Sequence, residues 1–264
     1  MSDRYRIRAV LALAFVLGTA TPFLAQASGK IPTGPEIVQR HVDAVGGQAA
    51  LDRVRSFRVR GSYEYRGLPE AGTIELVFRR PQNLIFHVHL PGYGDIEQGL
   101  AGELGWSLQP GQEPEVVEGG EKLDGLRKWA ARGFSLLPGS PEIQAGQDVE
   151  VVELDDRPAY KVAMRFVGSS EEWFDYYDRE TGLLIGRDET VQTTAGETEM
   201  RARAADYRDF DGVRIATRWT HEAAGQHWVA TYTSFEINDV SDAQLAPPTE
   251  LAGKNAATAT KTGG

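Results

Sequence analysis

Two short phrases constrain this chain more than anything else in it: Tyr177-Asp178-Arg179-Glu180-Thr181-Gly182-Leu183 and Tyr207-Arg208-Asp209-Phe210-Asp211-Gly212-Val213. Each places an Asp/Gly cluster, residues that tolerate left-handed backbone, between two runs rich in β-branched and aromatic side chains. Each therefore predicts a hairpin corner. Glu172 to Tyr177 leads into the first and Leu183 to Gln192 leads out, while Glu197 to Asp206 and Val213 to His221 flank the second. The second half reads as an antiparallel meander, and long meanders with few helices curl into barrels or half-barrels that hold ligands.

The first half carries the same period of two. Phe57, Val59, Gly61, Tyr63 and Tyr65 alternate with Arg58, Arg60, Ser62 and Glu64, which is the pattern of a half-buried strand. Ile74, Leu76 and Phe78 form a second apolar row, and Leu84, Phe86, Val88 and Leu90 a third, with His87 and His89 on its opposite face. Pro91 to Gly94 and Gly99 to Gly105 read as glycine-rich corners around weaker strands, the second leading into Trp106 and Leu108. Later strands run from Val149 to Leu154, from Ala159 to Val167 with Tyr160, Val162, Met164 and Phe166 on one face, and from Trp228 to Asn238.

Two stretches have the spacing of amphipathic helices, and a helical turn or two from Gln48 to Val54 places Leu51 and Val54 on a common side. Thr33-Gly34-Pro35-Glu36 has the form of a capping box, and Ile37, Val38, His41, Val42 and Val45 then fall on one stripe that Gly46-Gly47 ends. A second stretch, Gly119 to Gly133, puts Leu123, Leu126, Trp129 and Ala130 on one side. Both are amphipathic covers. The segment from Phe134 to Gly146, with Pro138 and Pro141, reads as a loop and as the candidate mobile part.

The N-terminus reads as a cleaved export signal over residues 1–27: Arg4, Arg6 and Arg8, an apolar stretch from Ala9 to Gly18 too short to span a bilayer, then Ala25-Gln26-Ala27. A leader over 28–34, one domain over 35–248 and a disordered tail over 249–264 complete the expected layout. The chain has no cysteine, which excludes disulfides, thiolate chemistry and lipidation of an N-terminal cysteine. A formal charge of −10 argues against nucleic acid and anionic membrane surfaces as general partners.

No pattern of catalytic residues stands out. His87-x-His89 would point two imidazoles the same way, as metal sites need, but no third ligand adjoins them, so a solvated strand face is the reading and no metal is assigned. Asp155-Asp156, Asp175, Asp178, Glu180, Asp209 and Asp211 crowd the turns, where such residues are expected for backbone reasons. There is neither a G-x-S-x-G elbow nor a phosphate-cradling glycine loop, so no enzyme and no cofactor is assigned.

The helix ending Asp43-Ala44-Val45-Gly46-Gly47 with Ala50-Leu51, the Gly105-Trp106 pair, the two Asp/Gly phrases and the closing Phe235-Glu236-Ile237-Asn238 together resemble the periplasmic lipoprotein-carrier fold of the LolA and LolB proteins and the lipoprotein-sorting chains akin to them. The resemblance covers about residues 35 to 248. It implies a mainly β, α+β fold: a curved antiparallel sheet forming an unclosed barrel, covered by two helical segments, whose groove takes up acyl chains. Each methylene moved from water into such a groove is worth about 0.8 kcal/mol.

The expected groove residues are Ile74, Leu76, Phe78, Leu84, Phe86, Val88, Trp106, Tyr160, Val162, Met164, Phe166 and Trp219, and the expected lid residues Ile37, His41, Val45, Leu123, Leu126 and Trp129. The function expected is that of a soluble, monomeric periplasmic carrier of lipid or lipoprotein acyl chains, exchanging them with a membrane-associated donor or acceptor protein. Two other readings stay open: a protein-interaction module with a filled barrel, and an enzyme using the same groove.

Overall fold

The computed structural model describes residues 30–117, 119–193, 196–248 and 251. The expected signal peptide lies outside the described residues, as does the expected tail except for Leu251. The body considered below starts at Pro32.

Helix α1 (Gly34–Ala44) starts at the capping box read from the sequence: the Thr33 amide donates to Glu36 Oε2 at 2.7 Å and its hydroxyl at 2.9 Å. A short helix α2 (Gln48–Arg53) follows the Gly46-Gly47 corner and buries Ala50 and Leu51. Six strands then meander outward: β1 (Ser56–Tyr65), β2 (Gly72–Arg79), β3 (Asn83–Leu90), β4 (Gly94–Ala101), β5 (Leu104–Leu108) and β6 (Glu115–Val117). Helix α3 (Gly120–Ala131) and a 3-10 turn at Gly133–Ser135 lead to seven more: β7 (Ile143–Leu154), β8 (Arg157–Phe166), β9 (Glu172–Asp178), β10 (Leu184–Thr193), β11 (Gly196–Phe210), β12 (Val213–Ala223) and β13 (Gln226–Ile237).

All thirteen described strands form one antiparallel sheet in the order β6-β5-β4-β3-β2-β1-β13-β12-β11-β10-β9-β8-β7. The two meanders join where β1 pairs with β13, from Phe57 opposite Ile237 to Tyr65 opposite Trp228. The free edges are β6 and β7, which are consecutive in the chain. Ile74 of β2, Tyr160 of β8 and Trp219 of β12 belong to one buried cluster, so the sheet wraps around a shared apolar interior. This is the unclosed barrel expected from the sequence.

The topology also fixes what covers it. The chain between β6 and β7 must travel from one free edge to the other, and it does so over the concave side. Leu123, Leu126 and Ala130 of α3 pack on Leu84, Leu100 and Val117; Phe134 meets Phe57 at 6.4 Å; Leu136 and Leu137 are buried in the main cluster. Gly105 lets α3 come this close, because a β-carbon there would meet Leu123 and Leu126 at 3.0 Å.

The two Asp/Gly phrases do more than turn the chain. Asp211 and Gly212, both with positive φ, make a two-residue corner between strands that pair through Phe210 and Val213, so β11 runs further into the phrase than its composition suggests. The Arg214 amide on that corner donates to Val45 at 2.9 Å, and on the other corner the Gly182 carbonyl lies 3.2 Å from His41 Nδ1. Both corners therefore clamp the end of α1, which makes α1 a fixed brace of the sheet.

Several local expectations change. The corner expected over Gly99 to Gly105 narrows to the turn between Ala101 and Leu104, with Gly99 inside β4; a β-carbon there would lie 2.0 Å from the Trp106 ring, so glycine makes room for the indole. β7 begins at Ile143, inside the segment read as loop. Leu251, within the expected tail, is fully buried with Val77, Ile85, Trp106 and Leu245, so packing reaches past residue 248.

Candidate functional site

The apolar rows meet inside the sheet much as their alternation predicts, with two exceptions. Ile74, Leu76, Phe78, Val88, Tyr160, Val162, Met164 and Trp219 share the main concave cluster with Ile37 and Val45, and Phe86 and Phe166 pack against it. Leu84 belongs instead to the smaller cluster under α3, with Leu123 and Leu126; Trp129 bridges the two by a tilted ring contact with Phe86, 5.5 Å between centres. Trp106 lies on the other face of the sheet. Its register partner Gly99 pairs with Ile85, so the indole shares the convex side with Val77 and Ile85, where its Nε1 donates to Glu97 at 2.7 Å. Alternation identifies a row but not which face is concave.

The concave side is not wholly apolar. Between α1, the 132–145 segment and strands β8 to β10 lies a cavity of about 80 Å³. Val38, Leu137, Ile143, Ala145 and Met164 form its apolar wall, and His41, Arg132, Trp173, Asp175 and Arg187 its polar one. This space holds two or three water-sized groups, whereas sites for drug-sized ligands run to about 300–1,000 Å³. Of the expected groove and lid residues, His41 and Met164 line it.

The polar wall is built from two buried ion pairs. Arg187 and Asp175 are direct cross-strand neighbours on β10 and β9, joined from Nε to Oδ1 at 2.6 Å and from Nη2 to Oδ2 at 3.0 Å. Arg187 also donates through Nη1 to the Ser135 hydroxyl, and Tyr177 donates to Asp175 Oδ2 at 3.3 Å. Arg132, at the end of α3, pairs with Glu189 of β10 at 2.6 Å and stacks its guanidinium carbon 4.4 Å from the centre of the Trp173 ring. Ala202 stands opposite Arg187 on β11, and so small a neighbour leaves room for the guanidinium.

Burial pushes the Arg132 pKa down. It acts the same way on Arg187, but there the Asp175 carboxylate outweighs it and holds the group above its ordinary value. His41 and His221 are both lowered to about 4, chiefly by burial, so both are neutral at neutral pH. Ser135 and Phe134 have positive φ, a strained backbone for such residues, at the point where the 132–145 segment, the strap of the sheet, meets Arg187.

Among the described residues, three buried polar atoms lack a hydrogen-bond partner: Arg132 Nε, Trp173 Nε1 and His221 Nδ1. The first two belong to side chains that line the cavity. None of Arg132, Trp173, Asp175, Arg187 and Glu189 was singled out by the sequence reading. Asp175, which the sequence places among the turn carboxylates, is mid-strand and buried. The available signal was parity: Trp173, Asp175 and Tyr177 occupy one face of β9, as Arg187 and Glu189 do on β10.

His87 Nε2 and His89 Nδ1 both face Asp95 Oδ1, at 3.1 and 3.0 Å, on the exposed face of β3. The hydrogen bond from His89 holds the Asp95 carboxyl below its usual range. Among the described residues no group of three or more His, Asp or Glu is placed to hold a metal ion.

A LolA superfamily protein from Nitrosomonas europaea superposes with a TM-score of 0.54 over 82% of this chain and 99% of its own, at 15% identity. The fold is that of the LolA superfamily. A DUF1329 family protein from Desulfovibrio piger gives 0.53 over 82% of this chain and 98% of its own, at 12% identity. No protein-family model matches the sequence, and no curated protein does. At these identities the likeness to solved structures concerns the LolA-like fold alone.

Proposed function

We propose that this protein is a periplasmic carrier that takes up the acyl chains of lipid or lipoprotein against the concave face of its sheet and exchanges them with a membrane-associated partner. One observation carries the reading: the apolar interior is closed by helices and a connecting segment and not by a second sheet, with α1 as the fixed side and the connection between the two free sheet edges, α3 with residues 132–145 after it, as the other. Displacing that connection would uncover the part of the concave cluster that α1 leaves open, without breaking a strand pair. The export signal read at residues 1–27 supports the location, and the missing cysteine fits a carrier without its own lipid anchor.

Ligand entry requires the cover to move, since a cavity of about 80 Å³ does not hold a long chain. Titration with a dansyl-labelled acyl chain tests the reading. Saturable binding with enhanced, blue-shifted emission is the expected result. No binding by the folded protein would overturn the carrier and favour the second reading, a protein-interaction module, which the small cavity itself supports.

A further inference from the structure

The polar wall of the cavity is balanced in charge but not in hydrogen bonding. Arg132 and Arg187 are matched one for one by Glu189 and Asp175, and the two nearby histidines are neutral at neutral pH. The four charged side chains are almost entirely removed from water, with exposures of 11%, 8%, 11% and 4% in that order. An added anion would therefore leave a net buried charge, which is costly. Donors, however, are in surplus. Trp173 is 4% exposed, and neither its Nε1 nor Arg132 Nε finds an acceptor among the described residues. A buried donor without a partner costs about 1–3 kcal/mol, so the site lacks an acceptor atom.

The rest of the lining is apolar. Val38, Leu137, Ile143, Ala145 and Met164 offer hydrocarbon surface in the same cavity, and Met164 is the direct cross-strand neighbour of Trp173. The matching chemistry is a neutral oxygen acceptor attached to a hydrocarbon chain, and the volume suits the functional group rather than the chain.

We propose that this cavity seats the carbonyl oxygen of an acyl ester or amide, with Trp173 Nε1 and Arg132 Nε as its donors. The site thus selects neutral acyl groups over free fatty acids. This rests on the carrier reading and sharpens it: the concave face recognises the bond joining the acyl chain to its cargo as well as the chain. Ester and amide share this chemistry and differ in source, a glycerolipid or an N-acylated chain.

The test uses the full protein and twelve-carbon probes in calorimetric titrations at pH 7.5: monolaurin as ester, lauramide as amide, laurate as carboxylate. Monolaurin or lauramide should bind about tenfold or more tightly than laurate, and whichever is tighter names the source. Trp173→Phe keeps the ring that stacks on Arg132 and removes the donor; Arg132→Lys keeps the charge facing Glu189 and removes Nε. Each should weaken the preferred probe about fivefold and narrow its advantage over laurate, the loss of roughly one hydrogen bond. Trp173→Phe should also raise the melting temperature of the free protein, because it deletes a buried donor without a partner, which a purely structural role for that N–H would not do.

Equal binding of laurate and the neutral probes, or variants that bind monolaurin and lauramide as the parent does, would overturn the inference and leave the carrier standing. Failure of all three probes to bind would overturn both.

Discussion

Arg187 holds Asp175 by two parallel hydrogen bonds across the β9–β10 pair, at 2.6 and 3.0 Å, with both side chains more than nine-tenths buried. Removing one member leaves the other as an unpaired charge in the interior, whereas removing both leaves none. Asp175→Ala should therefore cost about 3–5 kcal/mol in urea unfolding, and the double variant Asp175→Leu with Arg187→Met much less than the two single losses combined. Strictly additive losses would show that the pair is not the unit described here.

This pair also marks the limit of what the sequence discloses. Hairpin corners and apolar rows were legible because Asp/Gly clusters and a period of two are local signals, and the capping box at Thr33 and Glu36 is equally local. Asp175 and Arg187 are twelve positions apart and become partners only through the β9–β10 register, which shifts between Leu184 and Gly186. Nothing in the composition of either strand announces that shift. Trp106 failed for a related reason: only the position of α3 and of Leu251 decides which face of β5 is inside and which is covered by the C-terminal segment.

The two buried histidines predict a pH dependence. His41 and His221 titrate near 4 when folded, against the usual 6.5, because burial disfavours the imidazolium. The unfolded chain thus binds more protons between these values, so their contribution is complete above pH 6.5 and is lost as the pH falls towards 4. The charges of Asp175 and Arg187 act on His41 in opposite senses, as those of Glu189 and Arg187 do on His221. Urea midpoints measured from pH 7.5 to 4.5 should fall steadily, and His221→Phe should flatten that fall. An unchanged slope in the variant would place His221 in solvent.

Asp178 acts at lower pH. Burial by itself would raise its carboxyl, but the Thr181 amide at 2.7 Å, the Thr181 hydroxyl at 2.8 Å and Arg157 at 2.6 Å outweigh it, and the group stays below its usual range. Its stabilisation is present above about pH 4 and lost as the pH falls further. Asp178→Ala should cost about 1–3 kcal/mol at pH 7 through the donors left unmatched in the corner. The gap between variant and parent should narrow at pH 3; a gap that is constant with pH would mean the carboxylate is not the cap.

A concave face that takes up acyl chains should carry them through purification, which mass spectrometry detects in the organic extract of protein purified without detergent from the periplasm of an expressing bacterium. A stoichiometric acyl ester or amide, absent from a parallel extract of an unrelated exported protein, is the predicted result. An extract without amphiphile, from protein that also fails to take up added acyl probe, would contradict it.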